Sequence, residues 1–302
     1  MRLLTKICLL LMLPLVVPAA LRAQTPRDSL LVSTTWLAQH LNDTDLVLLH
    51  MGDAAEYATK HVPGSRLVTR AAISATGPAG SLTLELPPPD ELKTKLESLG
   101  ISDNSRIVVI FGQAQVTPAT RVVLTLQAAG FGARTSLLDG GLAQWERDGK
   151  PVTADVPAAK TGSISVLKMA SPIVDADFVK AHLNTPKYVI VDARDKAFYD
   201  GTQTGGSQTA PHKTGHIEGA KNIPYSTLTK ADNTLKPATE LQAMFDEAGV
   251  KPGDTVVAYC HIGQQATGVV FAARTLGITV KLYDGSFEDW SKKDGPVQKT
   301  IK

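Results

Sequence analysis

Asp254 to Gly277 reads DTVVAYCHIGQQATGVVFAARTLG. Val256, Val257, Ala258 and Tyr259 make a short apolar run, which is the signature of a fully buried strand. Ala266 to Leu276 repeats its apolar residues at helical spacing and stops at Gly277. Cys260 opens the tight turn between the two. A strand, a short loop and then a helix aim backbone N–H groups and the positive end of a helix at one spot, and that spot favours an anion. A thiolate is an anion, so Cys260 reads as a nucleophile whose deprotonated or sulfur-loaded form is cradled there. The competing reading is a small buried cysteine at a strand end.

The chain has 302 residues, enough for two domains of ordinary size. With 43% hydrophobic and 20% charged residues it has the composition of a globular protein, and its net charge of +2 comes from scattered Lys and Arg. Nothing in that balance calls for nucleic acid or a charged membrane surface. The N-terminus differs: Arg2 and Lys6 precede an apolar run, Ile7 to Leu21, followed by Arg22, Ala23 and Gln24. A basic start, an apolar segment shorter than the roughly 20 residues of a membrane span, and a small residue at the exit fit a secretory signal cleaved after Ala23. An uncleaved anchor is the second option. Cleavage removes Cys8 and leaves Cys260 alone in an exported, periplasmic protein. A lone cysteine there has no partner for an internal disulfide, which points toward chemistry.

The remainder of the chain repeats itself. Leu30–Tyr57 and Pro172–Tyr199 carry the same series, with Trp36 against Phe178, His40-Leu41-Asn42 against His182-Leu183-Asn184, and Tyr57 against Tyr199. KHVPGS (Lys60–Ser65) answers GHIEGA (Gly215–Ala220), Glu91–Gly112 answers Glu240–Cys260, and LLDGGLAQW (Leu137–Trp145) answers LYDGSFEDW (Leu282–Trp290). Each half alternates short apolar strands (Leu46–Leu49 and Ile107–Phe111; Tyr188–Val191 and Thr255–Tyr259) with amphipathic helices, one of them over Thr35–Leu41. That alternation predicts an α/β fold in which each domain is a mostly parallel sheet with helices on both faces. The expected division is a signal at 1–23, a first domain at 24–150, a linker at 151–170 within the Pro- and Ala-rich stretch after Lys150, and a second domain at 171–302.

The halves differ where chemistry is expected. Gly112 stands where the second half has Cys260, and His50 and Gly52 stand where it has Asp192 and Arg194. One active site follows, in the second half, with the first half as an inert wall and packing partner. Ligands of parallel sheets sit outside the carboxyl ends of the strands, so Cys260, Asp192 and Arg194 are expected on one rim. The irregular stretch Asp200–Gly215 has no counterpart in the first half, and either borders the site or is a mobile insertion.

VDAR (Val191–Arg194), GHIEGA, AYCHIGQQAT (Ala258–Thr267) and YDGSFEDW (Tyr283–Trp290), in that order, resemble the rhodanese family of sulfurtransferases. The likeness is greatest to its two-domain members with an inactive first copy. What the resemblance implies is transfer of a sulfane sulfur from a small anionic donor to a thiophilic acceptor such as cyanide, a thiol or a protein. The intermediate would be a persulfide on Cys260, cradled by the backbone of His261, Ile262, Gly263, Gln264 and Gln265, and formed by ping-pong chemistry. Departures from the family pattern are informative. Basic residues that often follow the cysteine are replaced by His261 and Ile262. The basic position after the Asp-Arg pair is Phe198, with Lys196 the nearest substitute for binding substrate or supporting the loop. The resemblance favours thiosulfate over 3-mercaptopyruvate as donor, because CHIGQQ lacks the Gly-Val-Thr ending of mercaptopyruvate users.

Other residues have plainer readings. Asp192 and Arg194 are expected as a buried pair that locks loops, with donor binding as the second option. His261 is either a cation at lower pH that helps to bind an anion or a solvent-facing loop residue. His216 is expected to cap a turn, and Trp145 and Trp290 to fill cores. No metal or cofactor is expected, because no residues have metal-ligand spacing and no nucleotide-binding glycine loop occurs. A cysteine phosphatase would need an arginine closing the loop, where Ala266, Thr267 and Gly268 stand instead. A persulfide carrier with little turnover remains as the alternative function.

Overall fold

The structure is a computed structural model, and it describes residues 25–78, 81–112 and 115–300. The expected signal segment lies outside the described residues. In the first half, β1 (Leu31–Val32), β2 (Leu46–Met51), β3 (Arg66–Val68), β4 (Arg106–Phe111) and β5 (Thr135–Leu138) form a parallel sheet in the order β1-β5-β4-β2-β3. In the second half the strands are β6 (Ile173–Val174), β7 (Tyr188–Asp192), β8 (His216–Ile217), β9 (Lys221–Asn222), β10 (Thr255–Tyr259), β11 (Thr279–Tyr283) and β12 (Val297–Gln298). Five of them give the order β6-β11-β10-β7-β9, again parallel, while β8 and β12 pair antiparallel beside it. The two orders superimpose strand for strand, so the repeat in the sequence is a repeat of topology. The expected strands and helices all form, with ends shifted by a residue or two: the helix read as Thr35–Leu41 spans Thr34–His40.

Repeated local devices hold the two copies alike. His61 Nδ1 donates to the Tyr57 carbonyl (2.7 Å), and its ring stacks on the Tyr57 ring. His216 does the same at Tyr199, at the same distance, so it fixes a turn as expected. Trp145 and Trp290 are fully buried, and their indole N–H groups donate to Pro151 O (2.7 Å) and Pro296 O (3.0 Å).

Strand alternation sorts the side chains into three cores. Along β4, Val108 and Ile110 face the first half's own outer helices, while Ile107, Val109 and Phe111 face inward. Along β10, Val257 and Tyr259 face outward, and Val256, Ala258 and, by continuation, Cys260 face inward. The two inward faces belong to one continuous apolar core, whose centre is a pair of helices, Thr117–Ala128 and Ala266–Thr275. Both helices are buried on nearly every side because each packs on its own sheet and on the other helix. Period-two alternation therefore points Cys260 at the interface between the halves.

Truncating Trp290 to Ala should cost about 3–5 kcal/mol of unfolding free energy, from lost burial plus the cavity left behind. Urea denaturation followed by circular dichroism measures it, and a loss below about 1 kcal/mol would show that the site collapses around the hole.

Candidate active site

Cys260 follows β10, and β10 pairs in register with β7, Tyr259 lying opposite Asp192. The register brings Cys260, Asp192 and Arg194 to one rim, as expected from the sequence. Asp192 and Arg194 are both buried and form a closed pair: the Arg194 Nη2 donates to Asp192 Oδ2 (2.6 Å) and its Nε to Oδ1 (3.0 Å). Arg194 N–H also donates to Oδ1 (2.9 Å), and Tyr259 O–H to Oδ2 (2.7 Å). The guanidinium further donates to Gly215 O (2.7 Å) and lies over the Phe287 ring at 4.0 Å. These contacts make the pair a support for the loops around the cysteine. Burial works to lower the Arg194 pKa, but the Asp192 carboxylate, by its charge and its hydrogen bonds, outweighs it and the guanidinium is held charged above its usual value.

The loop after Cys260 turns at Gly263, whose φ of +77° places it in the left-handed region. A Cβ there would lie 2.6 Å from Asp284 O, so glycine is required both by conformation and by space. The Cys260 N–H donates to Ser286 Oγ (3.1 Å), and the carbonyls of Cys260 and His261 accept from the N–H groups of Phe287 and Glu288. By contrast, the N–H groups of His261, Ile262, Gly263, Gln264 and Gln265 have no hydrogen-bond partner among the described residues. A loop with most of its carbonyls used and its amides free is an anion site in waiting. The cysteine itself is fully buried and free of any disulfide.

Next to this loop is a cavity of about 660 Å³ lined by His261, Ile262, His212, Thr83 and Glu288 among others. The stretch Asp200–Gly215, expected either as a border of the site or as a mobile insertion, is its border: Gly206, Ser207, Ala210, Pro211 and His212 form one wall. Ser81 and Thr83 of the first half form another, with the Thr83 N–H donating to Glu288 (3.0 Å). His261 is neither of the things expected of it. It is half-buried, edge-on to Phe198 at 4.6 Å and near His212 at 5.7 Å, and its pKa is lowered to about 3 by burial first and then by the charge of Arg194. A neutral imidazole therefore lines the cavity, not a cation. Lys196 is not brought to the site: its exposed ammonium pairs with Asp200 (2.9 Å) one turn along the same short helix. Gln264 and Gln265 each bury a side-chain oxygen without a partner.

Sequence reasoning missed Arg121. It is fully buried in the first half's central helix, pairs with Asp284, and donates from Nη1 to Gly263 O (3.1 Å) and from Nη2 to Leu84 O. A charged residue inside TPATRVVLTLQ, an otherwise apolar helix, was the signal that marked it. At the equivalent place in the first half, Gly112 ends β4, and a Cβ on it would fall 2.6 Å from both Glu56 carboxylate oxygens. That carboxylate takes the space a thiol would need.

The rhodanese-like domain profile matches residues 33–148 and 175–293. The chain is 30% identical over 280 residues to the sulfur carrier protein TtuD of Thermus thermophilus, covering 89% of this chain and 96% of that one. It is 29% identical over 299 residues to thiosulfate/3-mercaptopyruvate sulfurtransferase 1, mitochondrial, of Arabidopsis thaliana, covering 88% and 77%. Among solved structures YnjE matches with a TM-score of 0.82 at 23% identity, over 95% of this chain and 72% of that one, a likeness of fold.

The buried neutral histidines set a pH dependence. His50, lowered to about 4 mainly by burial, and His261, lowered to about 3, would each titrate near 6.5 in the unfolded chain. Below that value the unfolded chain binds protons that the folded one refuses, so these two groups' stability is complete above about pH 6.5 and drains away as pH falls toward 4. His261→Gln should flatten the decline in urea midpoint between about pH 7 and pH 4.5. An unchanged slope would show that His261 carries none of it.

Proposed function

The chain belongs to the rhodanese family, and from that membership we propose that this sulfurtransferase works through a persulfide on Cys260. The Cys260 thiolate attacks the outer sulfur of thiosulfate, an S–S bond forms to the cysteine, and the donor's S–S bond breaks with its electron pair leaving on sulfite. Cyanide or a thiolate acceptor then attacks the outer persulfide sulfur, and the cysteine thiolate is regenerated. Both steps are displacements at sulfur by an anion, so the residues must hold negative charge without offering a proton. Main-chain N–H groups do that. The observation that carries the reading is the set of free amides from His261 to Gln265, in a loop whose carbonyls, except that of Ile262, are already bound.

A second reading is a persulfide carrier that hands its sulfur to a protein. It is favoured by the shortage of free cations for a dianionic donor among the described residues at the site: Arg194 is paired with Asp192, and Lys292 in the cavity wall with Glu288 (3.1 Å). In either case we place the mature chain outside the cytoplasm. The signal-like residues 1–23 and the single cysteine that remains after them support this.

Thiosulfate:cyanide transfer by the purified chain should fall by a factor of about 10³ or more in Cys260→Ser, as expected for loss of a covalent nucleophile. Mass spectrometry after incubation with thiosulfate should find the Cys260 peptide heavier by one sulfur. Persulfide that forms and persists through repeated exposure to cyanide favours the carrier. Activity unchanged in Cys260→Ser would end both readings.

A further inference from the structure

We propose that Arg121, which belongs to the half without a cysteine, is a positioning residue for the sulfur site in the other half. The proposal rests on the reading of Cys260 as the reacting group, and it explains how the amide cradle is kept in shape. The Gly263 carbonyl accepts a hydrogen bond from Arg121 Nη1 at 3.1 Å. In a trans peptide the carbonyl of one residue and the N–H of the next point in opposite directions. Holding the Gly263 carbonyl toward the first half therefore turns the Gln264 N–H the other way, into the loop that begins at Cys260. Gly263 is in the left-handed region, where the backbone of a lone glycine is freest to flip, so this peptide most needs an external hold.

The hold is built for precision. Arg121 is 1% exposed. Its two terminal nitrogens face Asp284 in a fork, Nη2 reaching Oδ2 at 3.3 Å, while Nη2 also takes Leu84 O. Asp284 is in turn fixed by the Leu86 N–H at 3.1 Å. Three chain segments meet at one guanidinium: the loop over residues 84–86, the end of β11 and the sulfur loop. Lysine would meet Asp284 as a point charge but could not span all three. The neighbouring turn is secured from the same side, Thr267 Oγ1 lying 2.6 Å from Gln264 O and 2.7 Å from Thr120 Oγ1. Pseudo-symmetry sharpens the point. Leu235 N–H binds Asp139 (2.8 Å) as Leu86 N–H binds Asp284, but the residue equivalent to Arg121, by the spacing that aligns Thr120 with Thr267 and Gly130 with Gly277, is Gly268. The arginine is present only where it can reach the sulfur loop.

The test is alkylation of the Cys260 peptide by iodoacetamide across pH, read by mass spectrometry, alongside the rate of persulfide formation from thiosulfate. The groups around the thiol, Arg194, Asp192, Tyr259 and His261, are untouched. Arg121→Met should slow persulfide formation about 100-fold and move the alkylation midpoint to higher pH, as for a reacting group displaced from its donors. Arg121→Lys should recover the melting temperature but not the midpoint. Because Arg121→Met leaves Asp284 buried and unpaired, the double variant Arg121→Met with Asp284→Asn serves if the single one fails to fold. A folded variant of either kind with the wild-type midpoint and rate overturns the proposal. If wild-type protein alkylates with a low midpoint yet moves no sulfur, the persulfide reading fails while the role of Arg121 is still decided by the midpoint.

Discussion

The contact on which the rest depends is that between the helices Thr117–Ala128 and Ala266–Thr275. Each is buried almost all round, and neither half could keep such a helix covered alone. The helix that begins at Ala266 also closes the sulfur loop, so its burial and the shape of the loop are one problem. Packing on one side comes from the second half's own sheet and on the other from the first half. Alternation along β10 then turns Cys260 to the same side, into the dry zone between the halves. Water excluded there strengthens every dipole aimed at the sulfur.

Inside that zone, charge is handled by saturation. Asp192 accepts from Arg194, from Tyr259 and from a backbone N–H, leaving no uncompensated carboxylate near a thiolate that it would repel. Arg194 keeps its full charge, and its field reaches both Cys260, where it is welcome, and His261, where it opposes protonation. A neutral imidazole beside the loop adds no cation. The unpartnered amides are what the loop offers to an anion, with Arg121 fixing their direction, and broken loop geometry would be felt more than a lost charge.

Much of this was legible in the amino-acid order. Two runs of alternating strand and helix, matched residue for residue, sufficed for two parallel sheets, and a cysteine between a strand and a helix pointed to the loop. Burial of Asp192 with Arg194 followed from their spacing of two residues past a strand end. What stayed hidden was whatever depends on the approach of distant segments. The charge state of His261 comes from Arg194, His212 and burial under a stretch whose sequence, GTQTGGSQTAPH, has no periodicity to place it. Lys196 was misjudged because proximity in sequence says nothing of side-chain direction on a short helix, where Asp200 one turn on captures it.

The two halves are complementary more than redundant. A thiol cannot occupy the first half's rim, since the Glu56 carboxylate takes that space beside Gly112. The second half has Gly268 at the place of Arg121, and a Cβ there would already come within 3.3 Å of Leu228 and Thr117 side-chain carbons. Each copy thus lacks what the other supplies: the second has the sulfur and its supporting pair, the first the guanidinium and the loop at 81–86 that walls the cavity. A single half would retain a parallel sheet, but its sulfur loop would lose the partner of the Gly263 carbonyl, one wall of the cavity and the dry face against which Cys260 is turned. In this architecture the copy with Gly112 at the cysteine position is a structural component of the site.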